Sequence, residues 1–241
     1  MRRMIRILER RRTALNSKLD TSMTTTLTTT ALTSLLDRLF KQADVATSPA
    51  MDGISREERE RLMRSKTEYL DFYGRVKDLW LPVSRETGAL LYVLARSTNA
   101  RSIVEFGTSF GISTLHLAAA LRDNGGGQLI GSEFEPSKVA KAREHIAEGG
   151  LADLVEIREG DALKTLAVGL PESIDLLLLD GAKALYGEVL DLVESRLRPG
   201  ALIVADNADY SPEYVARVRS SGGGYLSVPF GVDVELSMRL G

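Results

Sequence analysis

VEFGTSFGIST, residues 104–114, is the stretch on which the fold turns. Ile103 and Val104 open an apolar run. A carboxylate (Glu105), a glycine turn from Gly107 to Gly111 and a helix-like pattern follow, so the stretch reads as a strand feeding a loop onto a helix. In an open α/β sheet such a loop lies beyond the carboxyl end of its strand, where ligands gather. A dinucleotide fingerprint would need G-x-G-x-x-G, with a pyrophosphate over the helix N-terminus. Here the spacing is Gly107-Thr108-Ser109-Phe110-Gly111, and a carboxylate stands two residues before the first glycine. That setting opposes a polyanion and suits a ligand bearing an ammonium group.

Further runs of the same kind lie on the C-terminal side: GQLIGSE (127–133), LVEIRE (154–159), IDLLLLD (174–180) and ALIVAD (201–206), with SIVEFG (102–107) at their head. Each is short, nearly continuous in apolar character and followed by a helical pattern, as strands buried on both faces of a parallel sheet are. The alternating segments GGGYLSVPF and VDVELSMRL predict a final antiparallel pair. The fold expected is α/β, a doubly wound, mostly parallel seven-stranded sheet. On the N-terminal side, Leu32, Leu35, Leu36, Leu39 and Phe40 predict an amphipathic helix over 31–44. Ser55 with Glu58 predicts a capped helix running to about residue 79, and a third helix is expected over 84–97. The expected organisation is a basic, Thr-rich tail at 1–28 and a single domain at 29–241, made of a helical cap (29–98) and an α/β core (99–241). The Arg-rich start has a transit-peptide flavour, and Met23 would also make a natural beginning; the tail is expected to be disordered.

Composition removes whole classes of chemistry. The 241 residues contain no cysteine, hence no disulfide, thiolate nucleophile or zinc–thiolate site, and only two histidines, His116 and His145, both in helical segments. A net charge of −2 and a pI near 5.9 give no reason to expect a nucleic-acid partner. No apolar run approaches the roughly 20 residues of a membrane span. A cytoplasmic protein acting on a small molecule is the expectation, with carboxylates, amides and lysines carrying any chemistry.

Glu133 closes the second strand, where an acid accepts hydrogen bonds from a ribose diol. Together with Glu105 and the glycine turn, it points to S-adenosylmethionine, which has an amino acid at one end and a ribose at the other. Two further strand ends carry Asp180, with Lys183 three residues on, and Asp206-Asn207. If their strands neighbour that of Glu105, two carboxylates and an amide converge beside the cofactor's reactive end, a hard-oxygen set suited to Mg²⁺ or another divalent cation. Such a cation would stabilise a phenolate, and Lys183 would take the phenolic proton, its own pKa lowered by the neighbouring charge.

From about residue 80 to the end, the sequence resembles the class I, catechol-O-methyltransferase-like family of S-adenosylmethionine-dependent O-methyltransferases, with their Rossmann-like fold. VEFGTSFGIST resembles its first cofactor motif, LIGSEFEP its acidic ribose motif and GDAL its adenine-side turn; LDGAKALY and VADN resemble the segments giving metal ligands and catalytic lysine. The resemblance implies that Val83 and Ser84 approach the methionine moiety, with Ser113 near its carboxylate and Glu105 and Gly107 near its amine. Thr108, Ser109 and Gly111 complete the loop, Glu133 holds the ribose, and Asp161 with Ala162 borders the adenine. Asp180, Asp206 and Asn207 would bind the metal, Asp180 also edging the cofactor, and Lys183 would be the base. The acceptor implied is a small hydroxylated molecule, a vicinal dihydroxy aromatic, and the N-terminal helices resemble the bacterial members' variable cap, which often builds a homodimer. Two features depart from the pattern: Ala182 stands where the catechol enzyme of mammals has a tryptophan, and GGGYLSVPF has no clear counterpart of its late glutamate.

Competing readings are a metal-independent small-molecule methyltransferase, an enzyme of nucleic acid or protein, and a non-catalytic S-adenosylmethionine-binding oligomeric module. An NAD-dependent oxidoreductase shares the sheet topology, but the loop spacing and the want of a hydride-relay histidine count against it.

Overall fold

A computed structural model describes residues 24–48, 51 and 53–241 of the chain. Its centre is a seven-stranded sheet in the order β3-β2-β1-β4-β5-β7-β6. The strands are β1 (Ser102–Phe106), β2 (Gln128–Glu133), β3 (Val155–Glu159), β4 (Ile174–Leu179), β5 (Leu197–Ala205), β6 (Tyr225–Phe230) and β7 (Val234–Arg239). The first five are parallel; β7 runs antiparallel to β5 and β6. The order reverses between β1 and β4, so the topological switch point falls at the glycine loop, and β1, β4 and β5 are neighbours, as the clustering of Glu105, Asp180 and Asp206 requires. β5 starts at Leu197, earlier than the apolar run announces, because Pro199 and Gly200 are accommodated within an irregular register against β4.

Nine α-helices accompany the strands among the described residues: α1 (Thr30–Val45), α2 (Arg56–Met63), α3 (Tyr69–Arg75), α4 (Arg85–Ser97), α5 (Ile112–Asp123), α6 (Pro136–Glu148), α7 (Ala162–Thr165), α8 (Tyr186–Val193) and α9 (Pro212–Arg219). α5 is apolar all round and buried along most of its length, lying between the sheet and α1 and α4. None of these helices is long and apolar enough to cross a membrane.

The helix expected from residue 55 to about 79 is two helices. Ser55 caps α2 through the Glu58 amide as its pattern promised, but the chain turns at Ser65, whose hydroxyl accepts from the amides of Thr67 and Glu68 while Glu68 reaches back to Arg61. These local side-chain bonds offer the backbone an alternative to the helix. Within the tail expected over 1–28, Thr26–Thr28 form a 3-10 turn, tied down by the Thr26 amide and hydroxyl on Asp123. Residues 1–23 lie outside the described residues.

The N-terminal helices divide their packing. α1 and α4 join the sheet's main core through Leu32, Leu39, Leu91 and Ala95. α2 and α3 form a separate small cluster around Ile54, Leu62, Phe72 and Val76.

Candidate functional site

Three cavities meet beyond the carboxyl ends of β1, β2, β4 and β5. The first is bordered by Gly107, Ser109, Glu133, Asp161, Ala162 and Asp180, and roofed by Tyr69 and Tyr73 of α3. A narrower one lies between Val83 and the loop residues Gly107, Thr108, Ser109 and Ser113. The third, about 1250 Å³, lies under α2 and α3 and reaches Ser84, Lys183, Asp206 and Asn207. Asp180 borders all three.

The loop is held by close approach of backbones. Gly107 has φ +100°, and a Cβ there would lie 2.5 Å from the Asp180 carbonyl oxygen. Ser109 is also left-handed (φ 47°), a strain that points its amide at Glu133 Oε2, 2.8 Å away. The Glu135 amide donates to the other oxygen at 3.0 Å, so Glu133 is fixed by two backbone donors and buried at the cavity edge. Asp161 caps α7 through the Leu163 amide.

Glu105 is fully buried and borders none of the three cavities. Its carboxylate accepts from the hydroxyls of Thr108 (3.0 Å), Ser113 (2.6 Å) and Thr114 (2.6 Å). The opposite strand leaves room for this cage because residue 131 is glycine; a Cβ there would lie 2.3 Å from Thr108 Oγ1. Burial pushes the Glu105 carboxyl up to about 7, against the pull of the three hydroxyls. Glu105 thus stands behind the loop rather than in the ligand space, and the Ser113 hydroxyl proton is committed to it. Gly111 borders no cavity either and packs on Ala142. The Ser84 hydroxyl caps α4 through the Thr87 amide, facing the third cavity rather than the narrow one beside Val83.

Sheet hydrogen bonding continues past the strand ends and sets the acidic pair: the Asp180 amide donates to Phe106 and the Asp206 amide to Leu179. Asp180 Oδ1 receives Lys183 Nζ at 2.7 Å, both side chains buried, and Asp206 lies close enough for the two acids to act on each other electrostatically. Burial, then the neighbouring Asp180, raises the Asp206 carboxyl to about 7. For Lys183, burial lowers the pKa but the Asp180 charge outweighs it, leaving the ammonium favoured well above its usual range. The lowering expected for Lys183 belongs to a site holding a metal cation; beside Asp180 alone the charged form is favoured. Asn207 is left-handed (φ 48°) and donates from Nδ2 to Asp233 at 2.9 Å.

Several side chains at these cavities carry no sequence signal. Lys138 is buried beside the first cavity, its ammonium 5.4 Å from the Phe110 ring centroid. Trp80 stacks on Phe110 at 4.1 Å and 9°, fastening the segment before α4 to the glycine loop. Asp233 brings a third acid to the third cavity, in the tail where no acidic counterpart was legible. Both histidines are satisfied structurally, His116 Nδ1 on Ile112 O and His145 Nδ1 on Phe110 O. Among the described residues no group of three or more His, Cys, Asp or Glu side chains is arranged for a metal ion; the candidate set is two carboxylates and an amide.

Residues 104–208 match a family model described as a methyltransferase domain. The chain is 38% identical over 130 residues to a catechol O-methyltransferase of Niastella koreensis, covering 53% of this chain and 58% of that protein. It is 30% identical over 200 residues to catechol O-methyltransferase B of Danio rerio, covering 74% and 75%. With the first of these, as with a catechol O-methyltransferase of Mycobacterium tuberculosis (57% of that protein), the match spans less than two thirds of the relative's length. Among solved structures, the O-methyltransferase TomG of Streptomyces achromogenes in complex with SAM superposes with a TM-score of 0.59 at 26% identity, over 84% of this chain and 95% of that one. A Bacillus cereus O-methyltransferase in complex with SAH gives 0.60 at 23% identity, over 76% and 94%, a likeness of fold.

Proposed function

Since the chain belongs to the catechol O-methyltransferase-like family of class I O-methyltransferases, we propose that it moves a methyl group from S-adenosylmethionine to a hydroxyl of a small, vicinal dihydroxy aromatic acceptor. The observation that carries this is the place of Asp180, at the junction of all three cavities and bonded to Lys183. The first cavity takes the nucleoside, with Glu133 on the ribose and Asp161 and Ala162 beside the adenine. The narrow one takes the methionine end, against Val83, Gly107 and Ser113. The third takes the acceptor, so the methyl group passes at Asp180. Glu105 acts through Thr108 and Ser113, holding the loop in shape.

Asp180, Asp206 and Asn207 fit a divalent cation. Their donors are hard oxygens, two carboxylates crowd each other in a buried place, and the Asn207 nitrogen is engaged by Asp233, leaving its oxygen for the ion. A cation bound there would stabilise a phenolate and fix it in line with the methyl group. Paired with Asp180, Lys183 is an ammonium and cannot accept a proton; were Asp180 engaged by another charge, the ammonium would first release a proton to solvent, and the neutral amine would then take the phenolic one. That ion pair also favours a second reading, metal-independent transfer in which the Lys183 ammonium itself steadies the phenolate.

The deciding experiment is transfer from labelled S-adenosylmethionine to a panel of catechols, caffeoyl-type phenols and flavonoids, with Mg²⁺ and with EDTA. Transfer that needs the metal is the expected result. Equal transfer in EDTA would establish the second reading, and no transfer to any phenol would overturn both.

A further inference from the structure

α2 and its C-cap carry four arginines, and three have partners of their own. Arg56 pairs with Glu60 at 3.0 Å, Arg61 with Glu68 at 2.6 Å, and Arg64 lies over the Tyr210 ring, 5.9 Å from its centroid. Arg59 is different. It lines the third cavity, its Nε is shielded from solvent, and that atom has no hydrogen-bond acceptor among the described residues. A buried guanidinium N–H left without an acceptor costs stability, so its retention in a cavity wall points to something the cavity receives.

The rest of the wall says what that is. Between Arg59 and the Asp180–Asp206–Lys183 group, the lining includes Met63, Phe72, Val76 and Leu79, a surface for an aromatic ring. The sheet end of the cavity, at Asp180, Lys183, Asp206 and Asn207, is the end to which the proposed function assigns the hydroxyls, which leaves the Arg59 end for another group. A molecule matching both ends has hydroxyls at one side of an apolar body and an anionic group at the other. A single guanidinium, with no second free cation lining the helical side among the described residues, matches the charge and planar fork of a carboxylate better than a doubly charged phosphate.

We propose that the acceptor is a dihydroxy aromatic acid whose carboxylate is bound by Arg59. This rests on the reading of the third cavity as the acceptor site. Arg59 is then a specificity residue, sorting acidic from neutral catechols by binding rather than by chemistry.

The test compares 3,4-dihydroxybenzoate with its methyl ester, which keeps ring and hydroxyls and removes the charge, in the full-length protein and in Arg59→Gln and Arg59→Lys. Two readouts are taken: kcat and KM for methyl transfer, and equilibrium binding of each compound to protein saturated with S-adenosylhomocysteine. The expected result is a preference for the acid of about tenfold or more in kcat/KM, the size of a charge-assisted hydrogen bond. It should reside in KM, collapse to about one in Arg59→Gln, and return in part in Arg59→Lys. Equal handling of acid and ester by the unaltered protein, or a preference that survives Arg59→Gln, would overturn the proposal while leaving methyl transfer to phenols standing. Absence of transfer to either compound, with acid binding that still depends on Arg59, would support the anion site and overturn the phenolic reading. Neither transfer nor Arg59-dependent binding would overturn the proposal as well.

Discussion

Replacing Glu105 by glutamine should change how the protein's stability depends on pH, and by a predictable amount. In the folded chain this carboxyl is fully buried and its pKa rises from 4.5 to about 7. Between those values the unfolded chain has released the proton while the folded chain keeps it, so raising the pH favours unfolding; above about 7 both forms are ionised and the cost is constant. The displacement corresponds to about 3 kcal/mol lost between pH 4.5 and 7. Glu105→Gln removes the titration. The hydroxyls of Ser113, Thr114 and Thr108 can each turn to accept from the new amide group, so the variant should bear a roughly constant cost of about 1–2 kcal/mol at all pH values. Urea unfolding at about pH 5 and pH 8 reads this out. The variant should be the less stable at the acid end and equal or better at the alkaline end, a crossing of about 3 kcal/mol. Asp206 also titrates near 7, but it contributes to both proteins and drops out of the difference. Parallel pH profiles would refute the reasoning, for they would mean that Glu105 is ionised throughout and that its cage is not dry.

Lys183→Met should lower kcat by roughly two to four orders of magnitude, with cofactor affinity intact as followed by the fluorescence of Trp80, the chain's one tryptophan; an unchanged rate would remove Lys183 from the reaction. Glu133→Gln turns one of two backbone-bonded acceptors into a donor and should weaken cofactor binding by roughly tenfold, with turnover at saturation little altered; a preserved dissociation constant would count against the ribose assignment. Gly107→Ala demands a left-handed alanine with its Cβ 2.5 Å from the Asp180 carbonyl oxygen. It should cost roughly 1–3 kcal/mol or more and abolish cofactor binding, and a protein that melts and binds as before would show that the loop relaxes freely.

The strands and the chemistry at their ends were legible because they follow local rules. Apolar runs such as IDLLLLD announce doubly covered strands, and the parallel order then brings Asp180 and Asp206 together without further information. The alternating tail disclosed the antiparallel pair for the same reason. What escaped depends on contacts between distant residues or on side chains competing with the backbone. Ser65 breaks a helix whose charge pattern runs on past it. Thr26 is ordered by Asp123, a residue 97 positions away. Glu105 reads from sequence as a ligand-facing acid, yet the hydroxyls of Thr108, Ser113 and Thr114 close over it, which no spacing rule conveys. Tyr69 and Tyr73 over the first cavity and Arg59 at the third come from short helices outside the sheet, and Asp233 reaches the site beside β7, which pairs with β5.

The stack of Trp80 on Phe110 divides the future of this protein unevenly. It binds residues 80–84 to the glycine loop as one mechanical piece, so a change there is felt at once by whatever the loop holds. α2 rests on a small core shared with α3, and α3 meets the sheet half through Tyr69 and Tyr73 over the first cavity. Variation in α2 can therefore rewrite the wall of the third cavity, residue by residue, while the glycine loop and the segment stacked on it stay still. A lineage with this arrangement can change what it modifies without relearning how.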